Sequence, residues 1–152
     1  ASLTMQNPSG SATYKIVFSL LAYTDVVGAG LATVSLWHCV HKLPVAALTR
    51  DLVVQGTGAG SAMCFLGGNS YNGDIIFDRG ATVVDDGWVP VGEPLESNIA
   101  TTNFITREVR LVVPVIIPPG QHYSTQTVAT VVTYETALGM VWGEVDASEL
   151  QD

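Results

Sequence analysis

The stretch Val109-Arg110-Leu111-Val112-Val113-Pro114-Val115-Ile116-Ile117 decides the fold. Every second residue, Val109, Leu111, Val113, Val115 and Ile117, is β-branched or Leu. Successive side chains of a strand point to opposite faces, so this alternation predicts a strand that buries one face. Pro114 cannot donate to a hydrogen-bond ladder, so an edge position or a bulge is expected there.

Downstream, Pro118-Pro119-Gly120 stops the strand, and two long strands are expected over 122–135 and 139–146. Upstream, residues 89–106 lack a period and contain Pro90, Gly92 and Pro94. They read as the longest loop, a segment type that tends to be functional or to form interfaces. Further upstream the period of two returns. Tyr14, Ile16, Phe18 and Leu20 fall on one face of a strand, as do Ala32, Val34, Leu36, His38 and Val40. Shorter strands are expected over 1–6, 51–55, 61–66, 74–78 and 81–84, with one short helical turn over 43–50. Gly supplies positive φ and Pro presets a turn, so Asn7-Pro8-Ser9-Gly10, Gly28-Ala29-Gly30, Asn72-Gly73 and Asp86-Gly87 mark the stops. The expectation is a single all-β domain over 1–152. It is an antiparallel β-sandwich or barrel, jelly-roll-like, of about eight to ten strands, with strands near the two ends of the chain paired in one sheet.

The 152 residues carry only 13% charged side chains against 47% hydrophobic ones, and mean hydropathy is positive. About 25% charge is usual, so part of the surface is expected to be covered by other chains. Six basic residues, Lys15, Lys42, Arg50, Arg79, Arg107 and Arg110, are scattered against fourteen acidic ones, for a net charge of −8. Direct nucleic-acid binding needs a basic patch to displace counterions, and none is legible. No run of about 20 apolar residues predicts a membrane helix. No basic region followed by an apolar core predicts a signal peptide.

Two signals bracket the chain. Near the start, Leu3-Thr4-Met5-Gln6-Asn7-Pro8-Ser9-Gly10-Ser11 leads into a long strand. Near the end, Val115-Ile116-Ile117-Pro118-Pro119-Gly120 precedes a long strand and then Val141-Trp142-Gly143-Glu144-Val145. In order and spacing they resemble the small jelly-roll structural proteins of bacteriophages and related viruses: capsid, head-decoration, spike and tail-tip subunits. The resemblance implies a homo-oligomer, a trimer above all, that contacts other virion proteins. It also implies a virion location after assembly in the host cytoplasm, where thiols stay reduced.

The chemistry-bearing residues point away from catalysis. No G-x-S-x-G or H-E-x-x-H motif occurs, and Glu93 and Glu96 in the long loop read as solvated acids. His122 begins a strand without an adjacent carboxylate. Cys39 and His41 share a strand face, and Cys64 could supply a third ligand. Zinc sites take four ligands, or three and a water, so a buried thiol beside a partly exposed imidazole is the preferred reading. The glycine run over 55–61 lacks both the dinucleotide fingerprint and a phosphate-binding Lys. Asn69, Asn72 and Asp74 form a hairpin turn sooner than a calcium loop. No catalytic residue, metal or cofactor is therefore assigned. Trp37, His41 and Trp88 are the candidate interface or binding residues, because aromatic side chains are enriched in interface cores. Two functions follow as expectations: a non-enzymatic viral structural protein or, alternatively, a carbohydrate- or receptor-binding sandwich of a phage tail or fibre.

Overall fold

The computed structural model describes residues 2–26, 30–41, 73–78, 86–99, 103–130 and 134–150. Among these, eight strands run in the order β1 (Ser2–Gln6), β2 (Thr13–Val26), β3 (Gly30–His41), β4 (Ile76–Asp78), β5 (Val89–Ile99), β6 (Asn103–Ile117), β7 (His122–Ala129) and β8 (Tyr134–Asp146). A 3-10 turn, Ala147–Leu150, follows. The described residues contain no α-helix. The strands make two antiparallel sheets, a larger one ordered β4-β1-β7-β3-β5 and a smaller one ordered β6-β2-β8. The expected all-β sandwich is what forms. The two ends of the chain meet twice, β1 pairing with β7 in the larger sheet and β2 with β8 in the smaller one.

The core lies between the sheets. Leu3, Met5, Leu36, Val91 and Tyr123 of the larger sheet meet Val17, Leu20, Ala22, Ile117 and Met140 of the smaller one, with Ile75 and Phe77 closing one side. The Phe77 and Trp142 rings meet edge to face, with centroids 5.2 Å apart. Each fully buried large apolar side chain contributes about 1.5–3 kcal/mol, so this layer supplies most of the drive to fold.

The two turns that marked the sequence dock on one another. Gln121 N donates to Pro118 O, Gly120 sits at φ 85°, and Pro119 occupies the preceding corner, which is a type II turn. Gly120 N donates to Asn7 O, and Asn7 N to Gln121 O. The buried Asn7 amide Nδ2 donates to Thr13 O and Ile117 O, both at 2.9 Å. One side chain thus ties the start of β2 to the end of β6.

Several expectations are corrected. The loop expected over 89–106 is largely strand, since β5 spans Val89–Ile99 and β6 begins at Asn103. Pro90, Gly92 and Pro94 fit there because, among the described residues, β5 is an edge strand. It also bulges: Ser35 of β3 alone lies opposite Gly92, Glu93 and Pro94, with Gly92 at φ 67°. The strand expected over 122–135 ends at Ala129, and Tyr134 already belongs to β8. Within β2, Phe18 is an extra residue between Val17 and Ser19 relative to β8. This bulge splits the expected face, burying Leu20 while Phe18 stays 44% exposed. On β6, Leu111, Val112, Val113 and Pro114 all lie opposite Phe18. Val109, Leu111 and Val115 pack on the core, but Val113 is 76% exposed. Pro114 does lie in a bulge on an edge strand. The expected face of β3 also divides, because Val34 and Leu36 are buried while Val40 is exposed. The elements expected over 43–50, 51–55, 61–66 and 81–84 lie outside the described residues.

Candidate functional site

The larger sheet buries its second face as well, and that face is polar. On β1, β7 and β3 the residues Thr4, Ser124, His122 and His41 are fully buried, and Cys39 nearly so. Register brings them together, since Thr4 lies opposite Ser124, Ser124 opposite Cys39, and His122 opposite His41. A hydrogen-bonded chain crosses three strands: Thr4 Oγ1 to Ser124 Oγ at 2.8 Å, then Ser124 Oγ to His41 Nε2 at 2.8 Å. On its other side His41 Nδ1 lies 3.5 Å from Asp86 Oδ2 and 3.8 Å from Cys39 Sγ. Asp86 comes from the segment ahead of β5, and its side chain is 15% exposed. The Trp88 indole meets the His41 ring edge-on, centroids 6.2 Å apart.

The order hydroxyl, imidazole, carboxylate is that of a nucleophile with its base and orienting acid. Ser124, however, is fully buried, and Thr4 already engages its hydroxyl. The group acts as an internal relay that satisfies buried donors and acceptors, each of which would cost about 1–3 kcal/mol if left unpaired. His122 is the exception, since both its ring nitrogens are buried with no hydrogen-bond partner. Burial, then the neighbouring His41, hold its pKa below the ordinary imidazole value. On the core side of β3, His38 Nδ1 meets Tyr123 OH at 3.0 Å. Burial lowers the His38 pKa and, with the nearby Cys39, raises that of Tyr123.

A second polar cluster closes the end of the sandwich beside the docked turns. The Lys15 side chain is fully buried, and its Nζ lies 2.6 Å from Asp74 Oδ1, 2.9 Å from Glu144 Oε2 and 2.7 Å from Thr13 Oγ1. Glu144 is the direct cross-strand neighbour of Lys15. Desolvation alone would raise the Asp74 pKa, but hydrogen bonds from Lys15 and Ser11 and the Lys15 charge outweigh it and lower the value.

The outer face of the smaller sheet has the opposite character. Phe18 is 44%, Leu21 39%, Tyr23 38% and Ile116 53% exposed, and beside them the β6 bulge presents Val112 and Val113 at 100% and 76%. Glycines on β8 leave room for this layer. A Cβ at Gly143 would come 3.1 Å from the Phe18 ring, and one at Gly139 3.3 Å from Leu21 Cβ. An open groove of about 490 Å³ runs past Leu21, Tyr23, Thr106, Ala137 and Gly139. Exposed Arg110 and Glu108, 3.8 Å apart, border the face.

Of the candidate residues, His41 lies at the centre of the polar relay, and Trp88 packs against it. Trp37 is half-buried, with its Nε1 donating to Ser35 Oγ at 2.7 Å. Cys39 and His41 do share a face, as the alternation predicted. Among the described residues no three His, Cys, Asp or Glu side chains are placed to hold a metal ion. Cys64, the glycine run over 55–61, and Asn69 and Asn72 lie outside the described residues, and Glu93 and Glu96 are described only as backbone of β5. Thr4 and Ser124 carried no site signal in the sequence, because only register between strands distant in the chain unites them, and Asp86 carried none because only the path of the segment ahead of β5 brings it to His41. No helix among the described residues is long and apolar enough to cross a membrane. Compared with known proteins, the chain matches no family model, no curated protein and no solved structure.

Proposed function

We propose that this chain is a structural subunit of a symmetric protein assembly, of the virus-particle kind that its terminal motifs resemble. In that assembly copies of the chain cover one another along the β6-β2-β8 face. The observation that carries the reading is the open apolar layer on that face. Phe18 at 44%, Leu21 at 39%, Tyr23 at 38% and Ile116 at 53% exposure lie beside Val112 and Val113 at 100% and 76%, and exposed apolar side chains gathered on one face mark an interaction site. A second copy is the fitting occupant, because the face is self-complementary in kind: the Val112–Val113 bulge stands out from β6, and the Leu21–Tyr23 groove on the same sheet is lined largely by apolar and small residues. The small share of charged residues supports the same reading.

Light scattering on the wild-type chain at micromolar concentration tests it, with a trimer or larger closed oligomer expected. Val113→Asp, which touches no core contact, should weaken assembly at least 10-fold while leaving the strand signal in circular dichroism intact. A monomeric wild type overturns the proposal, as does an oligomer indifferent to charge at both Val113 and Leu21. Glycan binding by a monomer would favour the carbohydrate-binding alternative, with Tyr23 and Phe18 as its exposed rings.

A further inference from the structure

We propose that His122 is an acid-operated latch on the polar layer of the larger sheet: when it takes up a proton, the β1-β7-β3 pairing at that end opens. The inference is independent of the assembly reading. His122 opens β7 and is paired across the ladder with Gln6 of β1 and His41 of β3. It is fully buried, and neither ring nitrogen has a hydrogen-bond partner. A neutral imidazole tolerates that site at modest cost, whereas an imidazolium there has no acceptor and faces a second imidazole.

Among the described residues the titratable groups around it are few. β3 supplies His41 and Cys39, and the segment before β5 supplies Asp86. β1 supplies Thr4 and Gln6, which carry no charge. Asp86 lies against His41 Nδ1 at 3.5 Å, so the one nearby carboxylate already faces a different ring. Among the described residues no counter-ion is in place for His122, and the proton is accommodated by letting water reach the ring. That requires separating β7 from its neighbours at the end tied by the Asn7–Gln121 backbone bond.

The sign follows from the lowered pKa of the folded state. Above the unfolded value of about 6.5 both states hold a neutral ring and the full stability is present. As pH falls below that value the unfolded ring binds a proton first, and stability declines until the folded ring titrates in turn. His38, also lowered by burial, adds a contribution of the same sign from the core side and must be separated from it.

The experiment is the melting temperature against pH at fixed protein concentration, from pH 7.5 to 5.5, for wild type, His122→Gln and His38→Gln. The wild type should lose about 3–5 °C over this range. His122→Gln should flatten roughly half of the slope, and His38→Gln should retain the His122 part. In parallel, the His122 ring is followed by NMR in the wild-type protein, which keeps the test valid if a variant fails to fold. Its titration midpoint should lie below 6.5, and the amides of β1 and β7 should exchange faster on acidification. A ring that titrates at or above 6.5 overturns the proposal, as does a His122→Gln profile parallel to wild type.

Discussion

The two outward faces of the sandwich contrast. On the smaller sheet, Phe18, Leu21, Tyr23 and Ile116 are apolar and open. On the larger sheet, Thr4, Ser124, His41 and His122 are polar and fully buried. The usual assignment of apolar in and polar out is reversed on both. The difference shows that alternation reports that a strand has two faces, while the cover on each face is set by what packs there. Buried polar groups survive on the larger sheet because most of them bond to one another in the Thr4–Ser124–His41 chain. Open apolar groups on the smaller sheet have no such internal remedy, and only a partner of the kind proposed above would cover them.

Substitutions on the two faces should therefore differ in size and in what they disturb. The largest effect is expected from His41→Leu, which removes the imidazole beside the Asp86 carboxylate and leaves the Ser124 hydroxyl without one partner. His41 contacts a buried hydroxyl and a carboxylate, and leaving a buried polar group unpaired costs about 1–3 kcal/mol, so about 2–4 kcal/mol should be lost; urea unfolding measures it. A loss under about 1 kcal/mol would mean that the relay carries little stability. Next in size is Ser124→Ala, which leaves Thr4 and His41 each short of a bond. About 1–3 kcal/mol should be lost in the same assay, and Thr4→Val combined with it should add less than the sum of the two, because both act on one chain. Smallest is Leu21→Ser on the open face. Measured on the dissociated chain, it should change stability by no more than about 0.5–1 kcal/mol, while weakening the oligomer by mass photometry. A large loss in the monomer would place Leu21 in the intramolecular core and erase the contrast.

Legibility followed the range of the interaction. The turns at Asn7-Pro8-Ser9-Gly10 and Pro118-Pro119-Gly120 were readable because Pro and Gly act on their own dihedrals. The Cys39 and His41 pair was readable because two residues apart on a strand means one face. Residues 89–99 were misread because Pro90 and Pro94 weigh against a strand only where the ladder needs their N–H, and an edge position removes that need. The face of β2 was misread from Phe18 because the extra residue shifts the parity of the strand beyond it, whereas on β6 the alternation resumes at Val115 and only Val113 is turned out by the bulge; neither extra residue has a signature in composition. Of the candidate site, His41 and Trp88 were singled out but their companions were not. Thr4 and Ser124 join them only through the registers of β1 with β7 and β7 with β3, and Asp86 only because the segment ahead of β5 passes beside His41.

By itself, then, the chain's order of residues determined that it forms strands, where most of its turns fall, and that it carries little charge. Those properties arise from local dihedral preferences and from sums over side chains. Tertiary structure alone decided which strands are edges, which faces are covered, and that an imidazole at 122 is enclosed without a bonding partner. These depend on pairings between residues more than a hundred positions apart, such as Thr4 with Ser124, and the free energy of such pairings resides in the packed arrangement, not in any one segment.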